Sequence, residues 1–254
     1  MQDTSLTISI ITVCYNSVKT IESAVRSVIS QDYPRVEYIV VDGGSTDGTL
    51  QAIEAYKDHI STLISEPDQG IYDAMNKGVR AAKGDVVGIL NADDVFHDAG
   101  VLSKVAAGFR KSDIEAVVGD IVFVKGDKGE KVLRRYSAKN WNPGKFSWGY
   151  MPPHPSFFAK KYLFEKYGYY KTDYHIAADY ELLIRFLYLN KVKWKYLPIT
   201  TTKMRMGGRS TSGLKSLFTL NREIARGCRE NGLYSNYLMI YSKYLFKPFE
   251  FILK

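Results

Sequence analysis

The chain has 254 residues, 45% of them hydrophobic, a net charge of +8 and only two cysteines, Cys14 and Cys228. That length and apolar fraction suit one large α/β domain, or a domain with a smaller appendage, and argue against a disulfide framework, a zinc cluster or a secreted scaffold. There is no basic stretch followed by a signal-length apolar run and no run of about eighteen apolar residues, so a cytoplasmic setting without a membrane span is expected.

From residue 6 to 120 short apolar runs alternate with segments of helical period, the signature of βα units around a mostly parallel sheet. The predicted strands are 7–13, 36–41, 62–65, 86–90 and 116–118, each continuously apolar rather than alternating, as a strand covered on both faces requires. Helices are predicted at 19–30, 48–57, 71–83 and 99–111. In the third, Ile71, Met75, Val79 and Ala82 share one face, and Asp73, Asn76, Lys77 and Arg80 the other. A hairpin follows around residues 126–129, then an aromatic, Gly- and Pro-rich loop at 141–155 of the kind that lies over clefts. A helix at 178–189, a strand at 193–196 and a Gly-rich turn at 206–210 lead into a helical C-terminal segment. The tail, 234–254, interleaves Tyr, Leu, Phe and Ile with Lys243, Lys247 and Lys254. Two readings stand for it: packing on its own domain, or lying on an anionic membrane surface.

Three polar clusters end three of the predicted strands: Tyr15-Asn16-Ser17, Asp42-Gly43-Gly44-Ser45-Thr46-Asp47 and Asn91-Ala92-Asp93-Asp94. In open α/β sheets that edge is where ligands bind. Two adjacent carboxylates at the tip of an apolar strand are costly without a cation or strong donors, and hard oxygen ligands suit Mn²⁺ or Mg²⁺, which also bridge diphosphate oxygens. One of them can cap the next helix; two with Asn91 exceed that need. In the second cluster Ser45, Thr46 and Asp47 are also good turn and cap residues, whereas Asp42 ends its strand and is expected to face the cleft, accepting from a ribose hydroxyl or base imide.

In this order and spacing, Thr12-Val13-Cys14-Tyr15-Asn16, the segment from Val40 through Asp42 to Thr49, and Leu90-Asn91-Ala92-Asp93-Asp94 resemble glycosyltransferase family 2, the inverting enzymes of the GT-A fold. The resemblance implies a Rossmann-like, mostly parallel central sheet flanked by helices, with a catalytic domain over 1–212 (nucleotide-sugar part to about 120, acceptor part beyond) and a helical tail over 213–254. By the same resemblance Thr12, Tyr15, Asn16 and Asp42 lie at the nucleotide, Asp94 contacts the metal, and Asp93 the metal, ribose or sugar. The stretch Glu66-Pro67-Asp68-Gln69-Gly70-Ile71-Tyr72-Asp73-Ala74-Met75-Asn76 is similar to members that build bacterial surface polysaccharides, which implies donor contacts for Asp68, Asp73 and Asn76; Asp68 also suits a plain helix start. Asp179 matches the family's catalytic base, its alternative being a first-turn carboxylate favoured by the helix dipole. His154 falls where relatives contact donor or acceptor, and Arg205 or Arg209 can offset diphosphate charge on a closing loop. Two departures stand out: Gly43 where a second carboxylate is common, and Ala178 where a Glu is common. No His follows His175, so remaining metal ligands are expected from donor phosphates and water.

The expected activity is therefore inverting transfer from a nucleotide-sugar, UDP-linked for preference, to a saccharide or lipid-linked saccharide, with Mn²⁺ or Mg²⁺, in the cytoplasm or peripherally at the cytoplasmic face of the inner membrane. A sugar nucleotidyltransferase is the enzymatic alternative, but the stretch after Thr12 offers only Asn16, Ser17 and Lys19 as a phosphate loop. A non-catalytic nucleotide- or nucleic-acid-binding domain is the other; its basic, aromatic face is not what an acidic cleft edge provides.

Overall fold

A computed structural model describes residues 6–111, 113–125, 131–205 and 213–246. The first third alternates as predicted: β1 (Ile8–Cys14), α1 (Ile21–Ile29), β2 (Val36–Asp42), α2 (Thr49–Glu54), β3 (Thr62–Ser65), α3 (Ile71–Ala81) and β4 (Val86–Ile89). All seven residues of β1 are buried, which is why the run shows no alternation. Then come β5 (Val95–Phe96), α4 (Val101–Gly108), β6 (Ala116–Lys125), β7 (Lys131–Tyr136), β8 (Phe157–Lys160), α5 (Tyr162–Tyr167), α6 (Ala178–Leu183), β9 (Trp194–Arg205), α7 (Gly213–Glu230) and α8 (Tyr237–Phe246).

The strands form one sheet in the order β3-β2-β1-β4-β8-β6-β9-β5, with β7 paired to β6. Strands β3, β2, β1 and β4 run parallel, and β8 enters antiparallel to β4. From β1 the chain moves outward to β2 and β3, then returns to place β4 on the other side of β1. That reversal opens a crevice at the carboxyl ends of β1 and β4, where the first and third polar clusters stand.

Helices cover both sheet faces. Ile21 and Val25 of α1 and Val101, Leu102 and Val105 of α4 join Ile8, Ile10 and Val40 in one core. Met75 and Val79 of α3, with Leu182, Leu183 and Phe186, join Ile11, Val13 and Val41 in the other. Helix α3 lies close on β1 because residue 78 is glycine: a Cβ there would stand 2.3 Å from Ile11 Cγ2.

Four expectations are adjusted. Met75, Val79 and Ala82 are buried as predicted, but Ile71 is 37% exposed and Asn76 only 3%, because α3 is covered not only by the sheet but by the segment around Tyr170. The helix predicted over 178–189 is α-helical to Leu183 and then widens to a π-helix over Ile184–Leu189. The short strand at 193–196 is twelve residues long, its later part carried by Thr201 and Thr202, polar in sequence yet fully buried. The C-terminal helix is broken after Glu230, where Gly232 takes φ +66. Strands β6 and β7 pair antiparallel as a hairpin requires, but its turn at 126–129 lies outside the described residues, as do the 206–210 turn, Lys247 and Lys254.

Ile224, Cys228, Leu233 and Ile240 share the α3-side core with Phe146 and Tyr180, so α7 and the start of α8 pack on the body of the domain. Among the described residues no helix is long and apolar enough to cross a membrane.

Candidate active site

Parallel register aligns the ends of the first three strands: Cys14 stands beside Asp42, and Asp42 beside Ser65. The β1 and β2 loops are tied together. Asn16, in a left-handed conformation at φ 49 that Asn tolerates, accepts from Thr46 N at 2.9 Å and donates its own N–H to Ser45 Oγ at 2.8 Å. Tyr15 projects beside it, 57% exposed, an uncommitted aromatic face at the mouth of the crevice.

Asp42 does not face that crevice. It is fully buried and accepts from Gly44 N at 3.1 Å, Ser45 N at 3.0 Å, Ser65 Oγ at 2.9 Å and Ser45 Oγ. The expectation of an open carboxylate is corrected: its charge is spent shaping the loop that follows β2. Asp47 likewise holds Thr49 N at 3.0 Å and Val18 N at 3.1 Å, the capping role weighed for it. The carboxylate next to position 43 comes from Asp68 instead. Its Oδ1 accepts from Gly70 N at 2.8 Å, while its Oδ2 lies 2.2 Å from where a Cβ on Gly43 would stand. Asp73 accepts from Gln69 N at 3.1 Å and pairs with Lys77 at 3.5 Å, so it braces the start of α3.

The acidic turn after β4 has a different character. Asp94 is 1% exposed; Asn91 Nδ2 approaches its Oδ2 at 3.4 Å, and the Arg205 backbone N–H also acts on its carboxyl. Among the described residues, Asp94 Oδ1 and Asn91 Oδ1 are both buried acceptors with no hydrogen-bond partner. Burial pushes the Asp94 carboxyl well above the usual carboxylate range, the neighbouring Asp93 adds to this, and Asn91 and Arg205 oppose it. Arg205 reaches this place because β5, which starts at Val95, pairs with the end of β9; its guanidinium also donates to Ser23 Oγ at 3.0 Å. Orphaned hard-oxygen acceptors on a desolvated carboxylate fit a bound divalent cation. Among the described residues no group of three or more His, Cys, Asp or Glu side chains converges on a metal position.

Asp179, in the first turn of α6, accepts from the Tyr180 N–H at 2.8 Å. Burial pushes its carboxyl up to about 6; Glu223 pushes the same way, while the Tyr180 and Asp179 backbone N–H groups and the Tyr72 hydroxyl hold it down. Tyr72, on α3, also donates to Ile176 O at 2.5 Å, linking α3 to the segment that delivers Asp179.

Three other residues expected at the ligand are hydrogen-bonded inside the protein. Thr12 is fully buried and accepts from Tyr38 OH at 3.1 Å inside the sheet. Asn76 exchanges two bonds with the Tyr170 backbone, at 2.8 and 2.9 Å, and is 3% exposed. His154 is buried against Tyr170 OH at 2.8 Å, and burial lowers its pKa to about 4, so it is neutral at physiological pH. Arg209 lies outside the described residues. Tyr72 and Glu223 were not singled out by sequence; each acts through partners far away in the chain.

A half-parallel sheet with an acidic turn at its switch point is the arrangement expected of a GT-A fold. Glycosyl transferase family 2 matches residues 9–206, and the chain belongs to that family. An uncharacterized glycosyltransferase of Mycobacterium tuberculosis is 32% identical over 182 residues, 70% of this chain and 68% of that protein. A glycosyltransferase of Mycobacterium bovis named for PGL/p-HBAD biosynthesis is 31% identical over 185 residues, with the same coverage. The fold is shared with residues 1–349 of Staphylococcus aureus TarS in complex with UDP-GlcNAc, at a TM-score of 0.69, 22% identity, 87% of this chain and 66% of that one. It is also shared with the mannosyltransferase PcManGT of Pyrobaculum calidifontis in complex with GDP-Man and Mn²⁺, at a TM-score of 0.67, 22% identity, 87% of this chain and 64% of that one. A longer TarS chain is spanned over only 39% of its length.

Proposed function

We propose that this glycosyltransferase moves a sugar from a nucleotide-diphosphate-sugar, UDP-linked for preference, to a hydroxyl of a saccharide or lipid-linked saccharide with inversion at the anomeric carbon, in bacterial surface-polysaccharide synthesis. The observation that carries the reading is the pair of orphaned acceptors, Asn91 Oδ1 and Asp94 Oδ1, buried at the switch point of the sheet. Support for the donor class comes from TarS with UDP-GlcNAc and PcManGT with GDP-Man and Mn²⁺.

In this reading Asp94, Asn91 and Asp93 would hold Mn²⁺ or Mg²⁺, which would supply the positive charge that neutralises a departing diphosphate. Arg205, and Arg209 beyond it, offset further phosphate charge. Tyr15 offers its ring to the base, and Asp68 offers its free Oδ2 to the base or ribose from the position that Gly43 leaves open. Asp179 accepts the proton of the acceptor hydroxyl as that oxygen bonds to the anomeric carbon and the bond from that carbon to the diphosphate oxygen breaks, releasing nucleoside diphosphate. A carboxyl near 6 is ionised at neutral pH yet still basic enough for the task. Residues 1–212 form the catalytic unit in this reading and 213–254 its tail. Membrane contact through the tail is supported by a cluster of exposed side chains at Tyr234, Tyr237, Leu238 and Tyr241, beside a hollow of about 470 Å³ lined by Lys145, Trp148, Tyr150 and Ser242.

Incubating the protein with a panel of nucleotide-sugars and Mn²⁺ tests the proposal. Slow release of nucleoside diphosphate and free sugar of inverted anomeric configuration from one donor is expected. With pyrophosphate added, formation of nucleoside triphosphate and sugar 1-phosphate instead would favour a nucleotidyltransferase.

A further inference from the structure

The backbone that delivers Asp179 is secured from outside its own helix. Ala177, at the start of α6, has no side chain able to cap it. The three preceding N–H groups, of His175, Ile176 and Ala177, all donate to one carboxylate, Glu223 of α7, at 2.8, 2.9 and 2.9 Å. Glu223 is 4% exposed and 46 to 48 residues away in sequence. From the opposite side Tyr72 of α3 donates to Ile176 O, so the 176 peptide is gripped at both its N–H and its carbonyl.

The grip extends along one face of α7, on which Glu223, Arg226 and Glu230 recur at helical spacing. Arg226 pairs with Asp173 and stacks on Tyr174 at 4.3 Å, and Glu230 accepts from Lys171 Nζ at 2.8 Å and Tyr174 OH at 2.9 Å. Of these α7 groups only Glu223 is tied directly to the peptides adjoining α6.

We infer that Glu223 is a positioning residue for the reaction: through its bonds to residues 175–177 it fixes the start of α6, and as a second carboxylate it sets the electrostatic setting of Asp179. The inference rests on Asp179 being the base. The groups facing Asp179 are Glu223 from α7, the Tyr72 hydroxyl from α3, Tyr170 from the segment before α6, with His154 hydrogen-bonded behind it, and the Tyr180 N–H of its own helix. Glu223 is the anion among them. Its charge disfavours a second negative charge on Asp179, so neutralising it lowers the pKa of the base.

The test uses the full chain with a donor that it turns over, comparing wild type, E223Q, E223D and D179N by pH–rate profile, calorimetric UDP binding and thermal melting. E223Q removes the charge and part of the acceptor set. It is expected to lower kcat about tenfold or more by displacing the base, since misplacement of about 1 Å costs up to about 10²-fold. The acidic limb of its profile should move to lower pH while UDP affinity stays within about twofold, because the nucleotide loops do not touch Glu223. E223D keeps the charge but shortens the reach, so kcat should fall with the limb unmoved. A folded E223Q with the wild-type kcat and limb overturns the inference; if E223Q does not fold, a wild-type kcat in E223D overturns it. Wild-type turnover in D179N sinks the base assignment itself, whatever the Glu223 variants do.

Discussion

D179N is expected to bind the nucleotide as the wild type does and to turn over donor and acceptor about 10²- to 10⁴-fold more slowly, the range that a positioned general base contributes. The change keeps shape and removes only the capacity to take a proton. Its pH signature is specific. In the wild type the rate should rise with pH through about 6, as the carboxyl ionises, and level off above 7. In D179N that limb should vanish. Loss of fold does not offer an escape, because the sign of the stability linkage is favourable. A carboxyl whose folded pKa is raised is most stabilising when protonated, and that contribution is lost as pH rises through the folded value. At pH 7 the wild type carries this cost and the amide does not, so D179N should melt no lower than wild type. Turnover equal to wild type in a folded D179N would remove Asp179 from the mechanism.

D94N should separate metal binding from folding in the same way. The Asp94 carboxyl is raised by burial and by Asp93. Without metal it contributes stability below its unfolded pKa and loses it as pH rises through its folded value. The amide is neutral throughout, so metal-free D94N should melt at or above the wild-type temperature at neutral pH. Mn²⁺ should raise the wild-type melting temperature and leave D94N unmoved. Since even outer-shell partners are worth about 10- to 100-fold in metal affinity, loss of a direct ligand should weaken Mn²⁺-dependent UDP binding by about 100-fold or more. Equal Mn²⁺ stabilisation of both proteins would place the cation elsewhere.

What could be read in advance follows from where the information sits. Strands β1, β2 and β4 declare themselves as largely apolar, β-branched runs because both of their faces are covered, and the acidic turn stands out because two carboxylates at such a tip need a partner. Other elements leave no local trace. Strand β5 is two residues long, and β8 hides in an aromatic, Pro-rich stretch. The later half of β9 is polar in composition, its threonines bonding to backbone or to each other inside the sheet. Asp42 shows the limit of strand logic: its place at the strand end was legible, but whether the carboxylate turns outward or back onto Gly44 and Ser45 depends on the loop. The partners of Asn76 and His154 are illegible for a related reason. Both lie in motif-like stretches, yet Tyr170, a residue with no motif around it, occupies them. The role of Glu223 was invisible because its partners are three backbone N–H groups on a distant segment.

Calorimetric titration with UDP and GDP, each with and without Mn²⁺, addresses the proposed cation-anchored diphosphate site directly. Binding of UDP that is tight with Mn²⁺, much weaker without it and stronger than that of GDP is the predicted result. Nucleotide binding indifferent to Mn²⁺, or none at all beside salt-sensitive binding of DNA or RNA, would contradict it.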